Sequence, residues 1–495
     1  MNIKAIIRNV RNKGLGETAK IARKNMRYSP KYFVWQAKGK TLKRKMAKFV
    51  KEGRIEEAEA FAAENFAPMI EEGISILAAS SSKIEKRDVS DTLKAQEDQM
   101  KETYPKLYKA YHKALKDRVL KVEIPAIYAE ESKKPVEDKV IFMENGGSPS
   151  PTGYHLSKEI KNQGKYKVSY RGLHVRKVAD AEYYHNAINY IKDLATAKAV
   201  FLSTANDILS QFDLRPETKV IQLWHGVGMF KRVGYSTQDN AHFGKSRKER
   251  EEYNQYRNYT YVTVAGEGQI WTFEDAFHIS RDSGVFKPIG IARTDVFFWE
   301  GYHQEQLDKL YEEFPQCRGK KLVLYAPTFR GSVAKAKAPD QLDIRMLAEK
   351  LPDDYVLLIK HHGLCKERPP IPADLQNVFA FDMNTSKVLT IEGLLAVADI
   401  LITDYSSVGF EFAIREKPII FFAYDLDDYI DKRGMYYDYE DITPGPICKT
   451  TDEIADYICN IEERFDIEEV RDFRKKYVDA CDGHAIERTI ALLEE

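Results

Sequence analysis

The residues in this chain whose types suit chemistry stand in short polar clusters, each at the end of an apolar run. The run "VIQLW" leads straight into His225, Gly226, Val227 and Gly228. A histidine followed by glycines can stand open in a cleft with backbone close beside it. Its near-neutral pKa suits removal of a proton from a hydroxyl. Lys231 and Arg232 follow within a turn or two and can hold a phosphate. "LVLYAP" delivers Pro327, Thr328 and Arg330, a hydroxyl and a guanidinium fork that suit phosphate oxygens. "VLLIK" brings Lys360, His361 and His362 to one positive strand end. "DILITD" ends in Asp404 and Tyr405, then Ser406 and Ser407 open a helix that carries Glu411 one turn on. Either serine can cap that helix, leaving its N–H groups and positive end to face a pyrophosphate, and Glu411 can accept hydrogen bonds from donor hydroxyls.

Each cluster also has a plain structural explanation. A strand-end histidine can simply bond to a loop. Pro-Thr after a strand is ordinary turn chemistry, Lys360 to His362 can be a solvated strand end, and serines cap helices that bind nothing. No metal is expected at the paired histidines.

The elements that must position these clusters can be read around them. From residue 138 the texture alternates between strands and helices. "DKVIFMEN", "KYKVSYRGL", "KAVFLSTAN" and "KVIQLWHG" make one α/β half, 138–300. After a polar and aromatic link near 296–318, "KLVLYAPTFRG", "YVLLIKHHG", "NVFAFD", "ADILITDYSS" and "KPIIFFAYD" make a second, 318–480, with a C-terminal helix at 481–495. Two Rossmann-type halves facing across a cleft place ligands outside the carboxyl ends of their strands, where every cluster above lies. Residues 1–130 read as helices, with strong helix formers from Lys40 to Phe66 and a second helical stretch from Val89 to Leu120.

Composition limits the rest. A chain of 495 residues needs two to three domains, and 43% hydrophobic with 31% charged residues describes a folded, soluble type of chain. No apolar run approaches the length of a membrane span, and no apolar stretch follows Met1 to Lys4, so neither a transmembrane helix nor a secretory signal is expected. Five cysteines, none in a C-x-x-C pair, fit a reducing cytoplasm. The net charge of zero hides an asymmetry: residues 1–54 hold 17 Lys and Arg against two acids, Glu17 and Glu52. Aromatic and aliphatic residues (Ile6, Ile7, Val10, Tyr32, Phe33, Val34, Trp35) interleave with these cations, a pattern suited to an anionic membrane surface. A solvated basic face, or one packed on an acidic domain, is the alternative. Nucleic acid fits the charge alone, with no recognition motif beside it.

The ordered series "QLWHG…FKRVG", "GIARTD", "YAPTFRG", "IKHH", "ADILITDYSSVGFEFAIREKPIIFFAYD", "RGMYYDYEDITPGP" and "DGHAIER" resembles the CDP-glycerol:poly(glycerophosphate) glycerophosphotransferase family over about 138–495. That family includes teichoic acid primases and polymerases and related capsule polymerases. The resemblance implies a GT-B-like fold and transfer of glycerol phosphate or ribitol phosphate from a CDP-activated donor, with release of CMP. It makes His225 the base. His362 contacts the donor diphosphate and acts as acid. Gly226, Met229, Arg293, Pro327, Thr328, Arg330, Lys360, Ser406, Ser407 and Glu411 fall on the donor side, with Lys231 and Arg232 for acceptor or phosphate. Glu411 stands where the family usually has Asp, and "GIARTD" lacks the family's proline. The resemblance further implies a CDP-polyol substrate with no obligatory cofactor. On this resemblance the acceptor is expected to be lipid-linked polyol phosphate or glycan, and the charge of the basic segment is what points to a peripheral place at the cytoplasmic face of the plasma membrane. The competing readings are a GT-B nucleotide-sugar glycosyltransferase and a non-catalytic scaffold that anchors polymer at the membrane.

Overall fold

The computed structural model describes residues 27–146, 150–174, 177–237, 245–332 and 335–495. The first half of the basic segment, including Ile6, Ile7 and Val10, lies outside the described residues. The described chain forms two compact units, one helical and one carrying both sheets.

The helical unit takes the residues before 136 and the segment 171–196. Its helices are Pro30–Lys51, Ile55–Ala79, Lys83–Thr103, Pro105–Arg118, Ile124–Glu131 and Asp180–Leu194. The last of these lies in sequence within 138–300, the stretch read as one α/β half. It groups with the helices because buried Glu97 accepts the backbone N–H groups of Asp180 and Ala181 (2.6 and 3.3 Å), satisfying donors at the start of that helix. The helix Pro30–Lys51 carries no acid, as its basic sequence requires. Its aromatics divide. Trp35 is 1% exposed and donates from Nε1 to the Met69 carbonyl at 2.9 Å, so it belongs to the core and is not available to a membrane surface. Phe33 and Val34 remain exposed. Among the described residues, no helix is long and apolar enough to cross a membrane.

The other unit is built on two parallel sheets. The first has strands β1 (Glu137–Glu144), β2 (Lys167–Gly172), β3 (Ala197–Leu202), β4 (Lys219–Gln222), β5 (Tyr261–Val264) and β6 (Phe286–Pro288), in the order β2-β1-β3-β4-β5-β6. The second has β7 (Lys321–Tyr325), β8 (Tyr355–Ile359), β9 (Ala380–Asp382), β10 (Ile400–Thr403), β11 (Ile419–Phe422) and β12 (Ile447–Cys448), in the order β12-β11-β10-β7-β8-β9. The central strands are continuous apolar runs because both faces are covered: every residue of β8, β10 and β11 is buried. This is the GT-B-like architecture of two Rossmann-type halves.

The chain does not keep to its halves. After the helix Ile467–Tyr477 packs Val470, Phe473 and Tyr477 into the second half's core, residues 481–495 return to the first. There Ile486, Leu492 and Leu493 pack with Val140, Phe142 and Phe201. Asp295 fixes the return by accepting the N–H groups of Ala485 and Ile486 at 3.1 and 2.7 Å, the first donors of the helix Ala485–Ala491.

Candidate active site

The loop after β4 holds His225 by strain and by one hydrogen bond. Trp224 sits at φ +58°, a left-handed conformation unusual for a bulky residue. Its ring lies 4.4 Å from the His225 ring and edge-on to Phe273 and Phe277. The turn it makes leaves His225 accessible to solvent. His225 Nδ1 donates to the Ser203 carbonyl at 3.3 Å, which leaves Nε2 as the ring nitrogen with a free lone pair. Ser203 is itself anchored, its hydroxyl donating to Glu144 Oε2 at 2.6 Å. Desolvation by the protein packed around the ring pushes the His225 pKa down to about 4, with Arg293 and Lys231 adding to the effect and the Ser203 carbonyl opposing it. At neutral pH the ring is therefore an unprotonated base.

The same loop runs into the second half. Val227 and Phe230 belong to the core cluster of the second sheet, and the Phe230 ring lies 4.5 Å from Phe410. Glycine is needed on the way. A Cβ on Gly228 would stand 2.5 Å from the Phe410 ring, and one on Gly226 3.0 Å from Ser407 Oγ. Met229 is buried in this loop. Lys231 bridges to Met435, and Arg232 Nε donates to the Met435 carbonyl at 3.1 Å. Burial pushes the Lys231 ammonium down to about 8, with Asp404 working against that shift.

The second half supplies the opposite histidine. His362 Nδ1 accepts the Leu364 N–H at 3.2 Å, so its proton is on Nε2. The residue is exposed, packs against Phe329 at 5.0 Å, and has its pKa lowered by burial and by Lys231. His361 is different. It is buried, its backbone is clamped by Asn384 at 2.9 and 2.7 Å, and burial holds its pKa down to about 4. Lys360 Nζ donates to the Met383 carbonyl at 2.8 Å. Pro327 is buried at the turn out of β7, and Thr328 beyond it has a buried Oγ1 with no hydrogen-bond partner. Its N–H donates to Asp404 Oδ1 at 2.8 Å.

Three sequence expectations change. Arg330 does not offer a free fork. Nη1 donates to Asp404 Oδ2 and the Thr328 carbonyl, both at 2.8 Å, and Nε and Nη2 grip Asp425 at 2.6 and 2.9 Å. Tyr405, Tyr424 and Tyr429 surround the guanidinium at 5.2–5.4 Å. Arg330 therefore fixes the strand ends and does not reach for phosphate. Glu411 does not face donor hydroxyls. It is 0% exposed, with Oε2 2.6 Å from Arg293 Nη2, and burial pushes its pKa up to about 7 against the pull of Arg293. Arg293, also buried, donates to the His225 carbonyl at 3.3 Å and so positions the base loop. The helix Val408–Ala413 spans six residues, and its first N–H groups are taken internally: Val408 by Ser406 Oγ, Gly409 by the Ser406 carbonyl and Phe410 by the Ser407 carbonyl. Ser406 and Ser407 thus offer hydroxyls more than a helix end.

Residues 128–495 match the model of the family described as CDP-glycerol:poly(glycerophosphate) glycerophosphotransferase. The chain belongs to that family. It is 38% identical over 298 residues to a teichoic acid poly(ribitol-phosphate) polymerase of Bacillus spizizenii, covering 60% of this chain and 46% of the polymerase. It is 30% identical over 357 residues to a teichoic acid glycerol-phosphate primase of Bacillus subtilis, covering 68% of this chain and 87% of the primase. The chain thus spans about half the length of the ribitol-phosphate polymerase it matches. A solved structure of the wall teichoic acid polymerase TagF superposes with a TM-score of 0.62 at 23% identity, covering 78% of this chain and 96% of that one, a likeness of fold.

The site of this family member includes groups the motifs did not single out. Ser203 and Glu144 set the His225 tautomer, Asp425 holds Arg330 alongside Asp404, and Glu392 lies 3.8 Å from Arg293. A signal existed for two of them: Glu144 and Asp425 are acids at the ends of buried apolar runs, where an unpaired charge is costly and a partner is required.

Proposed function

We propose that this chain transfers a polyol phosphate, glycerol phosphate or ribitol phosphate, from a CDP-activated donor to an acceptor hydroxyl in the assembly of a teichoic acid or capsule-type polymer. The observation that carries the reading is the pair of histidines held in complementary tautomers. His225 Nε2, unprotonated, takes the proton of the attacking hydroxyl. The acceptor oxygen forms a bond to the donor's polyol-bearing phosphorus, the bond from that phosphorus to the bridging oxygen breaks, and CMP leaves. His362 Nε2–H donates to the oxygens that gain charge. The ammonium of Lys231, close enough to His362 to lower its pKa, supplies a further donor. The relatives it matches, a poly(ribitol-phosphate) polymerase and a glycerol-phosphate primase, support the same class.

The test is CMP release from CDP-glycerol, CDP-ribitol and a panel of nucleotide sugars with a lipid-linked acceptor analogue. Release from a CDP-polyol that vanishes in His225→Ala supports the proposal. Turnover only with a nucleotide sugar points to a glycosyltransferase, and no turnover with any donor points to a scaffold. The acceptor is lipid-linked in this reading. The helix Pro30–Lys51, with exposed Phe33 and Val34 among lysines, then rests on an anionic membrane at its cytoplasmic face. Deleting 1–54 is expected to abolish co-sedimentation with anionic vesicles, and unchanged sedimentation rejects that attachment.

A further inference from the structure

A large cavity of this chain is lined by residues other than His225. It is a groove of about 1090 Å³ between the helix Pro151–Gln163, the segment leading into the helix Tyr302–Glu313, the start of the helix Ile391–Val397 and the start of the helix Ala485–Ala491. Small-molecule sites usually measure about 300–1,000 Å³, so this groove has room for an extended ligand. Two aromatic side chains stand open along it, Tyr154 at 50% and Trp299 at 42% exposure. Large rings left in water inside a concave surface need a reason. The edge of His155, 4.9 Å from the Trp299 ring, holds that indole in place.

The polar lining decides what kind of ligand fits. Glu392 is only 6% exposed and lines the groove, and its Oε1 has Arg293 Nη1 at 3.8 Å as a distant ion-pair partner with no hydrogen bond among the described residues. A carboxylate so buried, with no closer partner among those residues than an arginine at that distance, gains from a further donor at the groove. Asn162 and Gln163 add amides. The cations are few and offset: Lys309 is held by Glu305 at 2.6 Å, and Lys158 shares the lining with Glu159 and Glu487. Such a surface repels a phosphodiester chain, which needs uncompensated cations. Open aromatic faces beside acceptor-only carboxylates and amides instead suit a molecule with apolar C–H faces and many hydroxyl donors.

We infer that this groove binds the neutral saccharide part of the acceptor, with a sugar ring against Trp299 and Tyr154 and a hydroxyl donating to Glu392. The inference rests on the transferase reading only for the word acceptor. Glu392 also lies 3.8 Å from Arg293 Nη1, and Arg293 donates to the His225 carbonyl, so a sugar seated on Glu392 lies one residue away from the base loop.

The experiment is saturation-transfer NMR on the full chain with a panel of neutral hexosides and N-acetylhexosaminides, and with glycerol 3-phosphate. Trp299→Ala and Tyr154→Ala are compared with the parent after circular dichroism confirms the fold. Both side chains are substantially exposed, so either variant is expected to fold. The expected result is saccharide binding by the parent and by His225→Ala, weakened at least about tenfold in either aromatic variant and insensitive to salt. No saccharide binding, or equal binding by the variants, overturns the inference. Preferential, salt-sensitive binding of glycerol 3-phosphate lost in the same variants also overturns it and makes the groove a polyol-phosphate site. CMP release is measured alongside. Its presence without saccharide binding sinks only the groove, and its absence with saccharide binding sinks the transferase reading and leaves the groove standing.

Discussion

The loop after β4 and the loop after β7 look alike as sequence, each placing cations just beyond a buried strand. In the structure they differ. Arg330, after β7, has its donors taken by Asp404, Asp425 and the Thr328 carbonyl inside a ring of tyrosines. Lys231, after β4, is pushed down to about 8 by burial and forms no ion pair within 4 Å among the described residues. A cation at a strand end is thus either a fastener or a ligand group, and the carboxylates that reach it from distant strands decide which. Asp425 arrives from beyond β11, almost a hundred residues away in sequence.

That contrast can be broken or sharpened by experiment. The largest effect belongs to the base: His225→Ala is expected to slow CMP release by roughly a thousandfold while leaving the unfolding midpoint unchanged. Arg330→Met is expected to cost about 3–5 kcal/mol in urea unfolding, because it strands Asp404 and Asp425. If it instead keeps its stability and only raises the donor KM, Arg330 is a ligand group after all. Lys231→Met should do the reverse, raising the donor KM about tenfold without loss of stability. In the parent, activity should fall as pH rises through about 8 and Lys231 loses its charge, and the variant should lack that limb.

On the acid side, His225 and His361 are both held near 4 in the folded chain, against about 6.5 when unfolded. The unfolded chain takes up these protons first. Stability should therefore be full above about pH 6.5 and decline as pH falls toward 4, and the acid limb of kcat/KM should sit near 4. Thermal unfolding across pH and the rate profile check the two separately. The smallest effect is expected from a chelator: EDTA should leave CMP release unchanged, and a loss restored by a divalent cation would show that a metal takes part.

Much of this molecule was legible in its sequence. Buried parallel strands announce themselves as unbroken apolar runs such as "YVLLI" and "ILIT", and the polar clusters at their ends mark the cleft. Commitments between distant segments were not legible. Nothing near Glu411 says that it meets Arg293 and not a hydroxyl, and nothing near Trp35 says that its indole donates to Met69. The segment 171–196 was misplaced for the same reason, since its tie to Glu97 spans more than eighty residues.

The loop from His225 to Lys231 has a mechanical meaning. Its front is tied to the first half through Ser203, and its back is sunk in the second half through Phe230, whose carbonyl accepts the Tyr436 N–H at 2.8 Å. This short segment is one of the places where the chain passes from one half to the other, and the 3.3 Å bonds from His225 Nδ1 to Ser203 and from Arg293 to the His225 carbonyl hold its front. The imidazole and the Phe230 ring are thus held by different halves and joined by a segment of only a few residues.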